Sequence, residues 1–555
     1  MLDKRMTWLL ISLIILASAA SAFAGCGLSG GNLSPEQARE SLDALLTKVT
    51  VRDIPPVMDI SGTDLSDPGA ELPDIWNYPF SVEGYAPITV EIFASTEKAG
   101  PNMDGWLNEV AENFNREGFE VNGRQAAVSI RPVASGLATD YIVTKRYIPD
   151  AFSPANEMWG EMIDASGVRI ELVEKRIAGN TAGILMKKSA YQTFSEKYGD
   201  ASLSHVLEAV MAGDLLLGYT NPYVSSTGLN ILIAVLQTFD PGEPLSANAV
   251  EQLESFQLQI PPVAYTTAQM RESAKNGVLD AMIMEYQAYI NEPTLADYVF
   301  TPCGVRHDNP VYALNDISRE KRDALKLFTD YCKEEAAQNA AVRYGFNAHD
   351  DFPGDPLILA GFQLFAAQQI WKENKDSGRP VAAVFVADVS GSMEGSPIQE
   401  LKTSLVNASQ YITETNYVGL ISYSDEVYVN LPINQFTPQQ RAYFNGAVKS
   451  LSAGGGTATY DAVLVGAKLL LERRDVLPNA KLMMFVLSDG AQNEGYELGR
   501  IIEVMDALNI PVHTIGYNAD LSELQQLSNI NEASSVNANE SNVVYNLRNV
   551  FNAQM

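Results

Sequence analysis

Cysteine and histidine are scarce: three and four residues in a chain of 555. With no CxxC pair and no Cys/His cluster, a disulfide scaffold and a zinc site are both disfavoured. Basic residues are in the minority, 38 Lys and Arg against 68 Asp and Glu, for a formal net charge of -30. Such a surface repels nucleic acid and anionic lipid and attracts cations, which argues against direct DNA or RNA binding. There is no P-loop, no Ser-His-Asp or Cys-His set and no internal repeat, so the sequence gives no reason to expect an enzyme. What remains is an ordinary globular composition, 46% apolar and 19% charged. The length is too great for one hydrophobic core and implies two to four domains.

Lys4 and Arg5 precede an apolar run from Trp8 to Ala20, which ends in small residues before Cys26. This order reads as a secretory signal over residues 1–25 rather than a membrane span. The segment Phe23-Ala24-Gly25-Cys26 resembles a bacterial lipobox, although Phe23 stands where Leu is usual. On that resemblance Cys26 is the lipidation site, and the membrane is reached through the lipid anchor only. Ordinary cleavage near Ala22 or Ala24 is the alternative. The remaining thiols, Cys303 and Cys332, could pair in an oxidising compartment, but two buried free thiols are the simpler expectation.

Residues 26–85 read as a glycine-rich tether, a short helix and a linker. The helix opens at Ser34-Pro35-Glu36-Gln37, with Ser34 as cap and Gln37 closing a capping box. From residue 86 to 347, apolar runs such as Ile88 to Phe93, Val128 to Val133 and Thr181 to Met186 alternate with helical stretches, the rhythm of an α/β domain. A turn-rich stretch around His349 to Pro356 opens a second linker, residues 348–379, before a last α/β block over 380–555.

In that block Val381 to Ala387 is an uninterrupted apolar strand ending in Asp388-Val389-Ser390-Gly391-Ser392. Gly454-Gly455-Gly456-Thr457 forms a glycine loop, and the strand Ala480 to Leu487 ends in Ser488-Asp489-Gly490. Open α/β sheets bind ligands at such strand ends. Hydroxyls and carboxylates without His or Cys suit hard cations. These three segments resemble the metal-ion-dependent adhesion site of von Willebrand factor A domains. The resemblance implies a Rossmann-like doubly wound domain in which Asp388, Ser390, Ser392, Thr457 and Asp489 hold magnesium, or else calcium or manganese. It also implies that a partner's acidic residue completes the coordination. Tyr417 to Pro432 would form the antiparallel edge, Ile510 to Tyr517 the last strand and Val543 to Phe551 a closing helix. Glu394 reads as a helix-start acid, Asp461 as support for the glycine loop, and Asp425 and Glu426 as hairpin-turn acids.

The middle block resembles the two-lobed type II periplasmic solute-binding proteins, nearest in flavour to oxyanion receptors. The matching pieces are Phe93-Ala94-Ser95-Thr96, Val133-Ala134-Ser135-Gly136, the Pro149 to Pro154 loop, and Asn221 to Gly228. The resemblance implies a small solute or anion held by hydroxyls at helix starts, with Ser95, Thr96, Ser135, Ser225, Ser226 and Thr227 as candidates. For each, a helix cap is the competing role. Glu285, beside Tyr286, would repel an oxyanion if it faced the cleft. Trp106 and Trp159 are pocket or core aromatics. The fold class is therefore α/β, a two-lobed solute-binding-protein-like domain followed by the von Willebrand factor A-like domain. The expected function is a lipid-anchored extracytoplasmic binding protein. The alternative is the solute receptor of an ABC importer with an accessory metal domain.

Overall fold

Val381–Asp388, buried at every position, and Lys481–Ser488 lie side by side as parallel strands at the centre of a seven-stranded sheet in this computed structural model. The structure describes residues 33–59, 72–260, 270, 279–490, 492–517, 522–529, 535–538, 546–547, 550–551 and 554–555. The signal segment and Cys26 lie outside these residues.

Strands with no polar position need cover on both faces, and helices supply it. Ser396–Ala408 and Pro438–Ser450 close one side of the sheet, and Thr459–Val476 and Leu498–Leu508 close the other. Tyr417–Tyr423 runs parallel to the central strand, and Val427–Gln435 returns antiparallel, as the hairpin predicts. Two expectations are corrected. Val512–Tyr517 is followed in the sheet by Ser535–Ala538, so it is not the last strand. The hairpin is not the sheet edge either, because Val51–Asp53 pairs in parallel with Val427–Val429 outside it. The expected closing helix lies largely outside the described residues. Leu547, Val550 and Phe551 from it are buried in the core.

The segment read as tether, helix and linker is therefore part of the last domain. Helix Pro35–Leu46 carries the expected capping box and buries Ala38 and Leu42 against the cover helices. Arg39 donates to the Leu471 carbonyl at 3.2 Å, and Tyr496 donates to the Leu45 carbonyl at 3.0 Å. Past the added strand, the chain crosses helix Pro438–Ser450, with Asp59 N donating to Ala442 O at 2.9 Å. A β-carbon on Gly446 would lie 1.8 Å from the Val57 carbonyl, so this crossing requires glycine.

The middle region is inserted between these two parts of the domain. One lobe has a six-stranded sheet in the order 120–121, 124–132, 88–94, 151–153, 311–314, 170–174. The other has four strands, in the order 298–307, 180–187, 281–285, 217–218. One apolar cluster runs through both, from Phe93, Leu137 and Phe152 by way of Trp159 to Ile184 and Leu229. The expected second linker contains the helix Gly361–Asn374, which packs on the middle region. Its Trp371 is buried and donates to the Tyr219 hydroxyl at 2.6 Å. Beyond it, Asp376 accepts from Lys375 at 2.7 Å and from Lys481 of the last domain at 2.9 Å. Cys303 and Cys332 are free and buried. Burial pushes the Cys303 thiol up to about 12, and Cys332 is shifted the same way.

Truncating Leu42 to alanine should cost about 2–5 kcal/mol, the usual range for a buried leucine. The loss is expected in the last domain, far along the chain from the mutation. Hydrogen exchange should accelerate in 427–435 and 459–476 while 86–347 keeps its protection; unchanged exchange there would show that the helix does not belong to that domain.

His513 is wholly buried beside Phe485, with ring centroids 5.2 Å apart, and burial lowers its pKa to about 4. The folded state thus binds fewer protons than the unfolded one. Its contribution is complete above the unfolded pKa of about 6.5 and is lost as pH falls towards 4. The melting temperature should fall over that window in the wild type, and less steeply in His513→Phe. Parallel pH profiles would exclude this residue as the cause.

Candidate functional site

At the carboxyl end of the central strands, three loops converge. Asp388 ends its strand fully buried, because the β-rhythm that carries Val381 to Ala387 into the core carries it too. Its Oδ1 accepts from Ser390 N at 2.8 Å, and its Oδ2 accepts from the Ser488 hydroxyl at 2.6 Å. The Ser390 and Ser392 hydroxyls are 3.0 Å apart, and Ser392 donates to Asp489 Oδ1 at 2.8 Å. Four of the five proposed ligands therefore form one continuous hydrogen-bonded set. The fifth, Thr457, reaches it through the backbone. Gly391 N donates to Gly455 O at 2.9 Å, and Thr457 N donates to the Asn493 side chain at 2.8 Å. The Thr457 hydroxyl makes no hydrogen bond among the described residues.

Burial pushes the Asp388 carboxyl above the usual carboxylate range, and the like charge of Asp489 adds to this. The hydroxyls of Ser488 and Ser390 and the Ser390 N–H oppose the shift. Tyr423, wholly buried and 3.4 Å from Asp388 Oδ2, is raised well above its ordinary value, first by burial and then by Asp388. A buried carboxylate whose charged neighbour is another carboxylate lacks a counter-charge. No group of three or more His, Cys, Asp or Glu among the described residues is placed to hold a metal. A cation here would rely on the three hydroxyls as well as the two carboxylates. That all-oxygen set fits magnesium, calcium or manganese and does not fit zinc.

Several supporting residues were not singled out from sequence. Asn493 and Ser488 hold the loops, and their only signal is position beside Thr457 and Asp388 in space. Asp425, read as a turn acid, accepts from Gly456 N at 2.9 Å and so braces the glycine loop. Asp461, read as support for that loop, accepts from Tyr496 N at 2.9 Å instead. Glu426 pairs with Arg52 at 2.8 Å, joining the hairpin to the added edge strand. Glu394 is exposed just outside the cluster.

In the middle region five of the six candidate hydroxyls are committed to internal bonds. The Ser95 hydroxyl accepts from Lys98 Nζ at 2.7 Å, and the Ser225 hydroxyl caps its helix by accepting from Gly228 N. Ser226 accepts from Trp159 Nε1 at 2.8 Å, and Thr227 donates to Glu285 at 3.3 Å. The Ser135 side chain accepts from Ala155 N at 3.4 Å, and Thr96 is exposed. The Ser135 helix start faces the other lobe, where Gly136 N donates to Val224 O at 3.2 Å. A β-carbon at Gly136 would sit 2.3 Å from the Tyr223 carbonyl, so protein backbone occupies this helix N-terminus. Trp106 is buried core, bonded to Ala337 O at 3.0 Å.

Comparison with known proteins gives two family matches. Residues 98–347 match the family described as bacterial extracellular solute-binding protein, and residues 383–553 match the von Willebrand factor type A domain. Inter-alpha-trypsin inhibitor heavy chain H3 from Homo sapiens is 26% identical over 190 residues, 32% of this chain and 20% of that protein. The chain thus spans about a fifth of the length of the curated relatives it matches. Among solved structures, the von Willebrand factor type A protein from Catenulispora acidiphila aligns at TM-score 0.29 with 18% identity, covering 31% of this chain and 42% of that one. The sulfate-binding protein SubI from Mycobacterium tuberculosis aligns at 0.36 with 14% identity, covering 52% and 91%. No helix of the described residues is long and apolar enough to cross a membrane. On its two family matches, the chain carries a bacterial extracellular solute-binding region followed by a von Willebrand factor type A domain.

Proposed function

We propose that this chain is a lipid-anchored extracytoplasmic binding protein that acts without catalysis. In this reading the last domain holds a divalent cation, magnesium first, between Asp388, Ser390, Ser392, Thr457 and Asp489. When bound, the ion supplies a positive centre able to take a carboxylate from a protein partner. The chain's own residues fix that position. Ser488 and the Ser390 N–H orient Asp388, Ser392 orients Asp489, and Asp425 and Asn493 hold the glycine loop that presents Thr457. The observation that carries the reading is Asp388, a buried carboxylate hydrogen-bonded within a hydroxyl-rich cluster whose net charge the protein leaves uncompensated. The middle region serves as a solute-binding module in the same assembly.

Thermal unfolding of residues 27–555 tests the metal site. A cation that binds only the folded state should stabilise it by about 2.7 kcal/mol at a hundred times its dissociation constant. Magnesium, manganese or calcium should raise the melting temperature relative to EDTA, and Asp388→Ala should abolish the rise. The reading fails if none of the three moves the wild type, or if the mutant responds equally.

Anchoring is tested separately by fractionating cells that express the full chain. The wild type should follow the membranes and Cys26→Ser should be released in soluble form; a wild type found wholly in the soluble fraction would remove the anchor.

A further inference from the structure

Where the two lobes of the middle region meet, Glu285 is wholly buried and forms the hub of a polar network. It accepts from Asn180 Nδ2 at 2.7 Å and from Thr227, and it contacts His307 Nδ1 at 2.7 Å. The tautomer of His307 follows from its other side. Asn230 is fixed by Val305, donating to its carbonyl at 2.7 Å and accepting from its N–H at 2.8 Å. Its amide nitrogen therefore also faces His307 Nε2, at 3.0 Å, which makes Nε2 an acceptor and Nδ1 the proton carrier. In this arrangement His307 donates its Nδ1 proton to Glu285.

Counting donors against acceptors separates two classes of ligand. Lys98 is wholly buried and spends its three N–H groups on Ser95 Oγ at 2.7 Å, Ser153 O at 2.8 Å and Pro154 O at 3.2 Å. The Gln287 amide donates across the lobes to Met103 O at 2.8 Å and Asp104 at 3.0 Å. The Asn156 amide is turned to His307 Nε2 at 3.1 Å and Ser226 O at 3.4 Å. These amine and amide donors are thus engaged inside the protein, whereas the Ser153 and Thr181 hydroxyls are buried with no hydrogen-bond partner among the described residues. Acceptors are left over as well. Glu97 Oε2, Asn156 Oδ1 and Gln287 Oε1 are buried with no hydrogen-bond partner among the described residues. The Gln287 orientation is fixed by the two acceptors its nitrogen faces, so its orphaned oxygen is not an artefact of rotation.

These oxygens belong to one neighbourhood. Asn156 joins Glu285 through His307, and Gln287 N donates to the Asn180 side chain that bonds Glu285, at 3.3 Å. Glu97 and Lys98 both interact electrostatically with Glu285. Burial and the charge of Glu285 push Glu97 up to about 7, and burial brings Lys98 down to about 7, so two carboxyl groups face one amine here. Buried acceptors without donors cost about 1–3 kcal/mol each, and a ligand supplying N–H groups and positive charge would remove that cost.

We infer that the interlobe site of the middle region takes a small protonated amine, held by Glu97, Asn156 and Gln287 with Glu285 supplying the charge behind them. An oxyanion would meet these same oxygens and find the Lys98, Asn156 and Gln287 donors already used. The inference rests on the solute-binding reading of this region.

Isothermal titration of residues 27–555 decides it, with methylammonium and ethanolamine as amine probes and sulfate and magnesium as separate controls. At least one amine should bind, and a lost charge-assisted contact should weaken it roughly tenfold or more in Glu97→Gln and Glu285→Gln. Glu97→Gln leaves the Glu285 hydrogen bonds in place, so it reports even if Glu285→Gln misfolds. Asp388→Ala should leave amine binding unchanged. Sulfate binding in place of amine would overturn the inference and keep the solute-binding reading. Magnesium binding that survives Asp388→Ala and disappears in Glu97→Gln would overturn it in favour of a second metal site. Heat from none of the probes would overturn both the inference and the reading on which it rests.

Discussion

A carboxylate held at the end of a wholly buried strand is the constraint on which the last domain turns. Asp388 cannot move to solvent without taking Val381 to Ala387 out of register between two neighbours that pair with it along the whole strand. Charge at that depth is costly unless hydrogen bonds or a cation meet it. Three loops from distant parts of the chain are drawn to this point. The Ser488 hydroxyl and the Ser390 N–H meet the carboxylate directly. The glycine loop closes over them through the bonds from Gly391 and Gly454 to backbone oxygens. Fold and site are thus one problem in electrostatics. Parallel pairing that buries the strand also delivers the carboxylate to the sheet edge, where the chain reverses its direction of travel across the sheet.

Much of this was legible before any coordinates. Unbroken apolar runs can only be covered strands, and Asp-x-Ser-x-Ser after such a run places three oxygens in one loop. Ser34 to Gln37 likewise announced a helix start, and the capping box is present. What sequence could not give was where that helix docks. Ala38 and Leu42 mark an apolar stripe, but a stripe does not say which surface it covers, and the covering surface lies more than 400 residues away. Val51–Asp53 is three residues long and exposed on both faces, so it carries no alternation to read. Its pairing depends on an open edge supplied by Val427–Val429, a tertiary fact with no local trace. Gly361–Asn374 was hidden for a related reason: its apolar residues are spread around the helix, since it packs on several helices of the middle region.

The site hydroxyls divide along the same line. At the strand-end cluster, residue type and spacing were enough to bring the candidate residues together, because they sit in short loops whose direction the preceding strand fixes. In the middle region the motif residues Ser95, Ser226 and Thr227 are where a ligand-binding protein would put them, yet each hydroxyl is bonded to Lys98, Trp159 or Glu285. A sequence shows which groups can donate; it does not show which donors are already spent. That information resides in pairs far apart in the chain, such as His307 with Glu285 or Gln287 with Asp104, and it decides what charge a ligand can carry.

The order of the parts has a mechanical meaning. Because residues 33–59 and 380–555 build one domain, the middle region is joined to it at two places rather than one. On the second side the join is structured. Trp371 is fixed to Tyr219, Lys372 reaches the Tyr411 carbonyl at 3.4 Å, and Asp376 sits between Lys375 and Lys481. The second end of the inserted region is held to the seven-stranded sheet through Lys481 at the start of a central strand. A single flexible linker would let the two units turn freely. On the second side the join carries a buried aromatic and an ion cluster. The helix that completes the last domain also begins nine residues after Cys26, so a lipid on that cysteine would hold the von Willebrand factor type A domain, rather than the inserted region, next to the membrane.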